Sequence, residues 1–486
     1  MNRKLWMYTC CCAAFLAACN SGTQQQGDKR NNDSVSVYLT TADQQALFAQ
    51  QAALGKVPDT ATINIVMDSS RQFQEIEGFG ASVTGSSAYV MQNYMSPDKR
   101  QALLEELFGT TTGLGMNYIR MSIGASDFST GPYTYNDIPA GERDDSLQHF
   151  SIARDEKEVV PILRQISGIN PNIHIMGSPW SAPAWMKTSG KLEGGSLRPD
   201  AYDVYARYFV KYLRAFAAEG IKITALTIQN EPQYEALYPT MKMTAPEQGT
   251  FIKEHLGPLL EKEGLQQQTA VMLFDHNWNS PEYPISILDD SAIAKYTAGA
   301  AFHCYEGAVG AMSLVHDAHP EKGLYFTECS GGSWSPAFAD NLQFMVRQLF
   351  IGTVNNWSKN VLLWNMALDE RNGPTTNQPG TGEGNRGCMT CRGVVTINSR
   401  DGAVTRNVEY YAIAHFSKFV RPGAKRIYSS AVADKGLENV AFLNTDGSRV
   451  MVVMNTTKEE KVFSVKEGAV VSYALKPGAV VTLVWQ

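Results

Sequence analysis

The chain has 486 residues, of which 44% are hydrophobic, 19% charged and 10% aromatic. That balance can bury a large core and excludes a disordered chain, a collagen-like repeat or a disulfide-dense miniprotein. With 42 Lys and Arg against 48 Asp and Glu the formal net charge is −6, and no long basic run offers footing on a phosphate backbone, so no nucleic-acid partner is expected.

The first residues read as an address. Arg3 and Lys4 precede an apolar stretch from Leu5 to Ala18 that is short for a membrane span. Leu16-Ala17-Ala18-Cys19 resembles a bacterial lipoprotein signal, in which residues 1–18 are removed and Cys19 carries the lipid. Residues 19–34 are polar and free of aromatics, as a flexible tether would be. The expected protein is exported and held at a bacterial membrane, on the outer-membrane surface or the periplasmic side, by its lipid alone. Beyond the leader and Cys19, four cysteines remain: Cys304, Cys329, Cys388 and Cys391. Cys388-Met-Thr-Cys391 has no second CxxC or His pair beside it, so a local disulfide or two free thiols is expected rather than a metal half-site.

Strand-like runs at Ser36–Leu39 and Thr62–Met67 come first. Eight short apolar runs then follow at Gly78–Ser82, Tyr118–Ile123, His174–Pro179, Ala225–Gln229, Ala270–Phe274, Ala300–Tyr305, Leu324–Cys329 and Val361–Met366. Between them lie helical patterns. Ser96-Pro97-Asp98 opens one that Gly109 closes, and Pro199–Ala218 repeats aromatics at three- and four-residue steps. Further helices are expected near Asp155–Ile166, Pro246–Glu263, Asp340–Val354 and Val408–Val420. Strands apolar on both faces, alternating with helices, predict an α/β chain whose residues 76–422 form a (β/α)₈ barrel. An open doubly wound sheet is the alternative, but no GxGxxG follows an early strand. Residues 423–486 change to short alternating strands, which with residues 35–75 predict a side β-sandwich built from both ends of the chain and clasped rigidly to the barrel.

Chemistry in such a barrel sits where strands end. The fourth strand delivers Asn230-Glu231-Pro232 and the seventh delivers Glu328. A carboxylate after an apolar strand is costly to bury unpaired, and two facing each other across a pocket are the machinery of glycoside hydrolysis. One must be protonated to serve the leaving oxygen while the other stays ionised.

The chain resembles glycoside hydrolase family 30 over almost its whole mature length. The resemblance rests on Asn117–Ser129, Ser178–Lys187, Thr227–Pro232, Phe302–Tyr305, Phe326–Ser330 and Trp364–Leu368, in that order. It implies a retaining β-glycosidase with Glu231 as acid/base, and so with a raised Glu231 pKa, and Glu328 as nucleophile. It further implies Asn230 on the sugar 2-hydroxyl, Arg120 and Tyr305 beside Glu328, and Asp127, Trp180 and Trp364 in the sugar pocket. His303 either lines that pocket or is an internal histidine. Cys304 replaces an aromatic of the relatives and, between His303 and Tyr305 on a strand, should look away from the pocket. The long loop Asp369–Arg392 should shape substrate access.

Of the substrates that the resemblance allows, a surface-anchored bacterial enzyme meets polysaccharide more often than sphingolipid. The expectation is a monomeric endo-β-1,6-glucanase acting on β-1,6-glucan, without cofactor or metal, with exo-β-glucosidase or glucosylceramidase as the alternative. A non-catalytic glycan-binding lipoprotein could spare one of the two glutamates, yet both are present. A metal-dependent hydrolase would draw on Asp275, His276, His303 and a glutamate, but Asp275 and His276 are strand neighbours expected to face apart.

Overall fold

A computed structural model describes residues 34–58, 61–376 and 387–485. The expected leader, Cys19 and nearly all of the expected tether lie outside the described residues, as does part of the loop after the eighth barrel strand. Among the described residues no helix is long and apolar enough to cross a membrane.

Eight parallel strands close into a barrel, each hydrogen-bonded to the next in chain order and the eighth to the first. They are Gly78–Ser82, Tyr118–Ser122, His174–Ser178, Ala225–Thr227, Ala270–Asn277, Gly299–His303, Gly323–Glu328 and Ser358–Asn365. The fifth runs three residues past its expected end, a difference that matters for the site. Closure removes every sheet edge. It also leaves each strand buried on both faces, which is why the alternation is apolar throughout. One face points into the cylinder and the other onto the helices, such as Tyr202–Ala218, whose tyrosines and phenylalanines are packed inward. The helix expected from Asp155 starts later, at Val159, because Asp155 is buried as the acceptor for the Tyr133 and Tyr135 hydroxyls.

The side domain is a nine-stranded sheet folded over its own core. Val35–Thr40 pairs antiparallel with Val480–Trp485, and the 13-residue strand Ile63–Glu75 pairs with both Lys425–Ser429 and Lys461–Glu467. Both chain ends therefore build one domain. On Leu437–Leu443 and Arg449–Asn455 the alternation of strand side chains divides two cores. Ala441, Met451 and Val453 fill the side domain, whereas Val440, Phe442, Val450, Val452 and Met454 join the barrel's core. A small sheet of Ala367–Asp369, Val395–Ile397 and Val404–Arg406, without a clear sequence signal, carries the loop after the eighth strand.

One histidine locks the two parts together. His415, on the helix Val408–Ser417, is fully buried with its Nδ1 2.8 Å from Thr482 Oγ1 and its Nε2 2.8 Å from Thr40 Oγ1. Burial holds its pKa down to about 3. Because that lies below the free value of about 6.5, its contribution to stability is complete above that pH and is lost as pH falls toward 3. His415→Ala should lower the unfolding free energy at pH 7 by about 3 kcal/mol, from the lost hydrogen bonds and the cavity left behind. Denaturant unfolding checks this, and a loss under about 1 kcal/mol would show that the contact does not lock the domains.

Candidate active site

Tyr118, Met176, Ala225, Met272, Ala301, Tyr325 and Leu362 plug the barrel interior. Two residues further along a strand the side chain returns to the same face. The next layer toward the strand ends is therefore set by Arg120, Ser178, Thr227, His303, Thr327 and Trp364. On the fifth strand this count would bring Phe274 inward. Instead Phe274 and Asp275 have φ of 71° and 62°, and the pairing with the sixth strand slips between Phe274 and His276. This bulge turns the Phe274 ring out against Tyr283 and Phe302 and swings Asp275 into the barrel. The expectation that Asp275 and His276 face apart thus needs correcting: Asp275 lies beneath the site and His276 on its wall.

Asp275 is fully buried and fully satisfied. It accepts hydrogen bonds from Arg120 Nη2 at 2.7 Å, Ser178 Oγ at 2.7 Å, Thr227 Oγ1 at 2.8 Å and Thr327 Oγ1 at 2.7 Å, and lies 3.0 Å from His303 Nε2. Burial alone would raise its pKa, but Arg120 and His303 hold it far below the usual carboxylate range. Arg120, equally buried, also donates to Glu328 Oε2 at 2.5 Å and Asn230 Oδ1 at 2.7 Å. Its guanidinium lies 4.8 Å from the Trp180 ring centre and 5.6 Å from that of Trp364, and those two indoles stack at 5.1 Å.

Above this layer opens a cavity of about 690 Å³, lined by Asp127, Trp180, Asn230, Glu231, Tyr305, Glu328 and Trp364, all singled out by the sequence. Arg120 and His303, grouped with them from the sequence, do not reach it: both are fully buried underneath and act on the carboxylates instead. Tyr305, at the rim, donates its hydroxyl to Glu328 Oε1 at 2.9 Å. A Cys304–Cys329 disulfide joins the residues next to these two, clamping the ends of the sixth and seventh strands. Cys304 is absent from the cavity wall, as its place in the alternation implies. Four cysteines allow three pairings, so spacing alone could not name this one.

Glu231 sits on a strained turn. Its φ is 48°, left-handed for a residue with a side chain, and the turn is pinned by Glu231 N–H to the Asp275 carbonyl at 3.0 Å and Asn230 N–H to the Pro179 carbonyl at 2.8 Å. Its carboxylate Oε1 stands 3.2 Å from His303 Nδ1 and 3.9 Å from His276 Nδ1. His276, named from the sequence only in the metal-binding alternative, and the Cys388–Cys391 disulfide of the long loop also line the cavity, together with Trp334, which the sequence did not single out. Trp334 is 57% exposed at the mouth and packs over Gly332, where any Cβ would strike the indole. Ser333 N–H to the Thr390 carbonyl and Arg392 N–H to the Gly331 carbonyl, each 2.8 Å, join the loops after the seventh and eighth strands.

The pKa of Glu231 departs from expectation. Burial pushes it up, but the His303 ring bonded to it outweighs burial and holds it below an ordinary glutamate. Burial would lower His303, yet the negative charges of Glu328 and Asp275 raise it to about 9. His303 and Glu231 are thus coupled through their hydrogen bond, each favouring the charged form of the other. Burial and the Glu231 charge leave Glu328 above an ordinary glutamate, against the pull of His303, Arg120 and Tyr305. Burial, then Glu328 and Glu231, raise Asp127 to about 8. At neutral pH its carboxyl is protonated, able to donate as well as accept.

Residues 76–420 match the family model described as the glycosyl hydrolase family 30 TIM-barrel domain, and residues 423–483 match the family 30 beta sandwich domain. The chain belongs to glycosyl hydrolase family 30. An endo-1,6-β-D-glucanase of Aspergillus fumigatus is 36% identical over 436 residues, covering 85% of each chain. The lysosomal acid glucosylceramidase of Mus musculus is 29% identical, over 82% of this chain and 78% of its own. Among solved structures, the endo-β1,6-glucanase BT3312 superposes with a TM-score of 0.84 at 36% identity, over 93% of this chain and 99% of its own. As a member of this family the chain is a glycoside hydrolase with a barrel and a β-sandwich.

The two limbs of the pH profile follow from these shifts. With Glu328 as the nucleophile proposed below, activity should fall as pH drops through a value above that of an ordinary glutamate. With Glu231 as the proposed acid/base, activity should fall again as pH rises through about 9, where the His303–Glu231 pair loses its proton. His303→Asn leaves the proton on Glu231 alone and should move the alkaline limb of kcat/KM down by about one pH unit or more. An unmoved limb would contradict the shared proton.

Proposed function

We propose that this chain is a retaining endo-β-1,6-glucanase that cleaves internal bonds of β-1,6-glucan by double displacement, with Glu328 as nucleophile and Glu231 as acid/base. The observation that carries this reading is the placement of both glutamates on one cavity at the barrel's C-terminal rim, one held by Arg120 and Tyr305 and the other by His303. In the first step Glu328 attacks the anomeric carbon while Glu231, fed by His303, protonates the departing oxygen of the next sugar. The product is an α-glucosyl ester on Glu328. A water then gives its proton to Glu231 and attacks the same carbon, regenerating Glu328 and releasing a β-configured end. Retention requires carboxyls roughly 5–5.5 Å apart. Asn230 has its carbonyl oxygen committed to Arg120, so its amide NH₂ is left to donate to the sugar 2-hydroxyl.

The linkage is supported by what the Aspergillus fumigatus relative and BT3312 are named for. Trp334, flat and exposed at the mouth, offers a second sugar a surface beyond the pocket and so favours a chain over a lone glucoside. We further propose that Cys19 is lipidated, holding a monomeric enzyme at a bacterial membrane surface, on the strength of Leu16-Ala17-Ala18-Cys19.

Two experiments test the reading. Linear β-1,6-glucan, β-1,3-glucan, xylan and glucosylceramide are digested and the products followed in time. Oligosaccharides of mixed length should appear first, and from β-1,6-glucan alone. Glucose as the sole early product, or turnover of glucosylceramide alone, would sink the endo-glucanase assignment. Glu328→Ala should lose essentially all turnover and be rescued by azide as the α-glycosyl azide. Undiminished hydrolysis by this variant would remove Glu328 from the mechanism.

A further inference from the structure

Beside the acid/base carboxyl stands a nitrogen with nothing to bond. His276 is 7% exposed, and its Nδ1 finds no hydrogen-bond partner, although buried polar atoms nearly always have one. That nitrogen faces Glu231 Oε1 at 3.9 Å, and His303 Nδ1 faces the same oxygen at 3.2 Å. The three atoms all lie within 4.8 Å of one another, and among the described residues no other trio of such donors converges this closely. The bulge at Phe274 and Asp275, rather than a sequence spacing, makes the grouping. It extends the fifth strand so that His276 comes to rest beside Glu231.

We propose that Glu231, His276 and His303 form a binding site for a divalent transition ion, Zn²⁺ or Cu²⁺, whose occupation silences the enzyme by taking its acid/base carboxylate. Two imidazoles and one carboxylate are the donor set such ions prefer. Bonds of about 2.0–2.1 Å at tetrahedral angles place donors about 3.3 Å apart; Glu231 and His303 already stand at 3.2 Å, and His276 would close in from 3.9 Å to the same oxygen. The supporting shell is present as well. His303 turns its other nitrogen to Asp275 Oδ1 at 3.0 Å, and four further donors hold Asp275, so the ligand ring is fixed in orientation. Glu231, Glu328 and Asp275 face Arg120 and the proton on His303; a divalent ion displaces that proton and so adds one positive charge net to an acidic cluster. Glu231 lines the open cavity, so an ion can enter from solvent and keep its remaining coordination position toward the space a sugar would fill. The surface pairs His149 with Asp144 and His255 with Asp203, each with one partner exposed, offer only two donors each. They provide a background of weak sites that the test must subtract.

The full-length protein, stripped with a chelator and exchanged, is titrated with Zn²⁺ by calorimetry and with Cu²⁺ by electron paramagnetic resonance. One site tighter than the background is expected, its copper spectrum showing two nitrogen ligands. His276→Phe should weaken that site at least about tenfold and reduce the nitrogens to one. Glu231→Gln, which keeps the shape of the side chain, should weaken it similarly and decides the matter if His276→Phe does not fold. Hydrolysis by the wild type should fall in step with zinc occupancy and return with EDTA. Equal stoichiometry and affinity in wild type and both variants would overturn the site, and full activity at saturating zinc would overturn the inhibition. The binding arms use no substrate, so they succeed or fail independently of the glucanase reading.

Discussion

Everything at the mouth of this barrel is arranged around one buried guanidinium. Arg120 lies entirely out of water, and such burial is tolerable only because Asp275 and Glu328 neutralise it and Asn230 and Ser178 occupy the rest of its Nη2 surroundings. Removing one member of a buried ion pair costs roughly 3–5 kcal/mol because the other charge is left stranded. The cluster therefore behaves as a unit, with Arg120 fixing Glu328, orienting Asn230, and tying both to a deeper carboxylate that never meets substrate. The stacked indoles of Trp180 and Trp364 lie near its face and form a wall of the cavity.

Asp275 turns a set of residues into a working site. Its carboxylate accepts hydrogen bonds from hydroxyls on the third, fourth and seventh strands and from Arg120 on the second, and meets the imidazole of the sixth. Five strands are thus held to one another by hydrogen bonds to a single side chain, in the layer directly beneath the chemistry. Through His303 the same carboxylate keeps a proton near Glu231, the acid/base of the proposed mechanism. The strained backbone at Glu231, Phe274 and Asp275 is concentrated here, where the surrounding hydrogen bonds can sustain it.

Much of this was legible in the sequence, for a physical reason. Strands buried on both faces lose polar alternation, so the eight runs stood out as apolar segments, and Glu231 and Glu328 stood out as charges just past two of them. Period-two alternation on the sixth strand also set Cys304 apart from His303 and Tyr305. The alternation failed on the fifth strand, where two residues in left-handed backbone shift the register. Neither Phe274 nor Asp275 is a glycine that would have announced such a turn. That failure hid the inward carboxylate and the outlying His276. The His303 pKa was beyond reach too, since it depends on two charges arriving from other strands. The side domain was readable from its turns, but Lys425–Ser429 and Ala49–Leu54 carry too many polar residues to show as strands before their partners are known.

The central claim is that Glu328, fixed by Arg120, forms a covalent bond to the sugar. It is tested most directly by reacting the protein with a 2-deoxy-2-fluoro-β-glucoside bearing a good leaving group and mapping the trapped sugar by peptide mass spectrometry. The account predicts one sugar per chain, attached to Glu328. Attachment to any other residue, or leaving-group release with no trapped species and an inverted product, would contradict it.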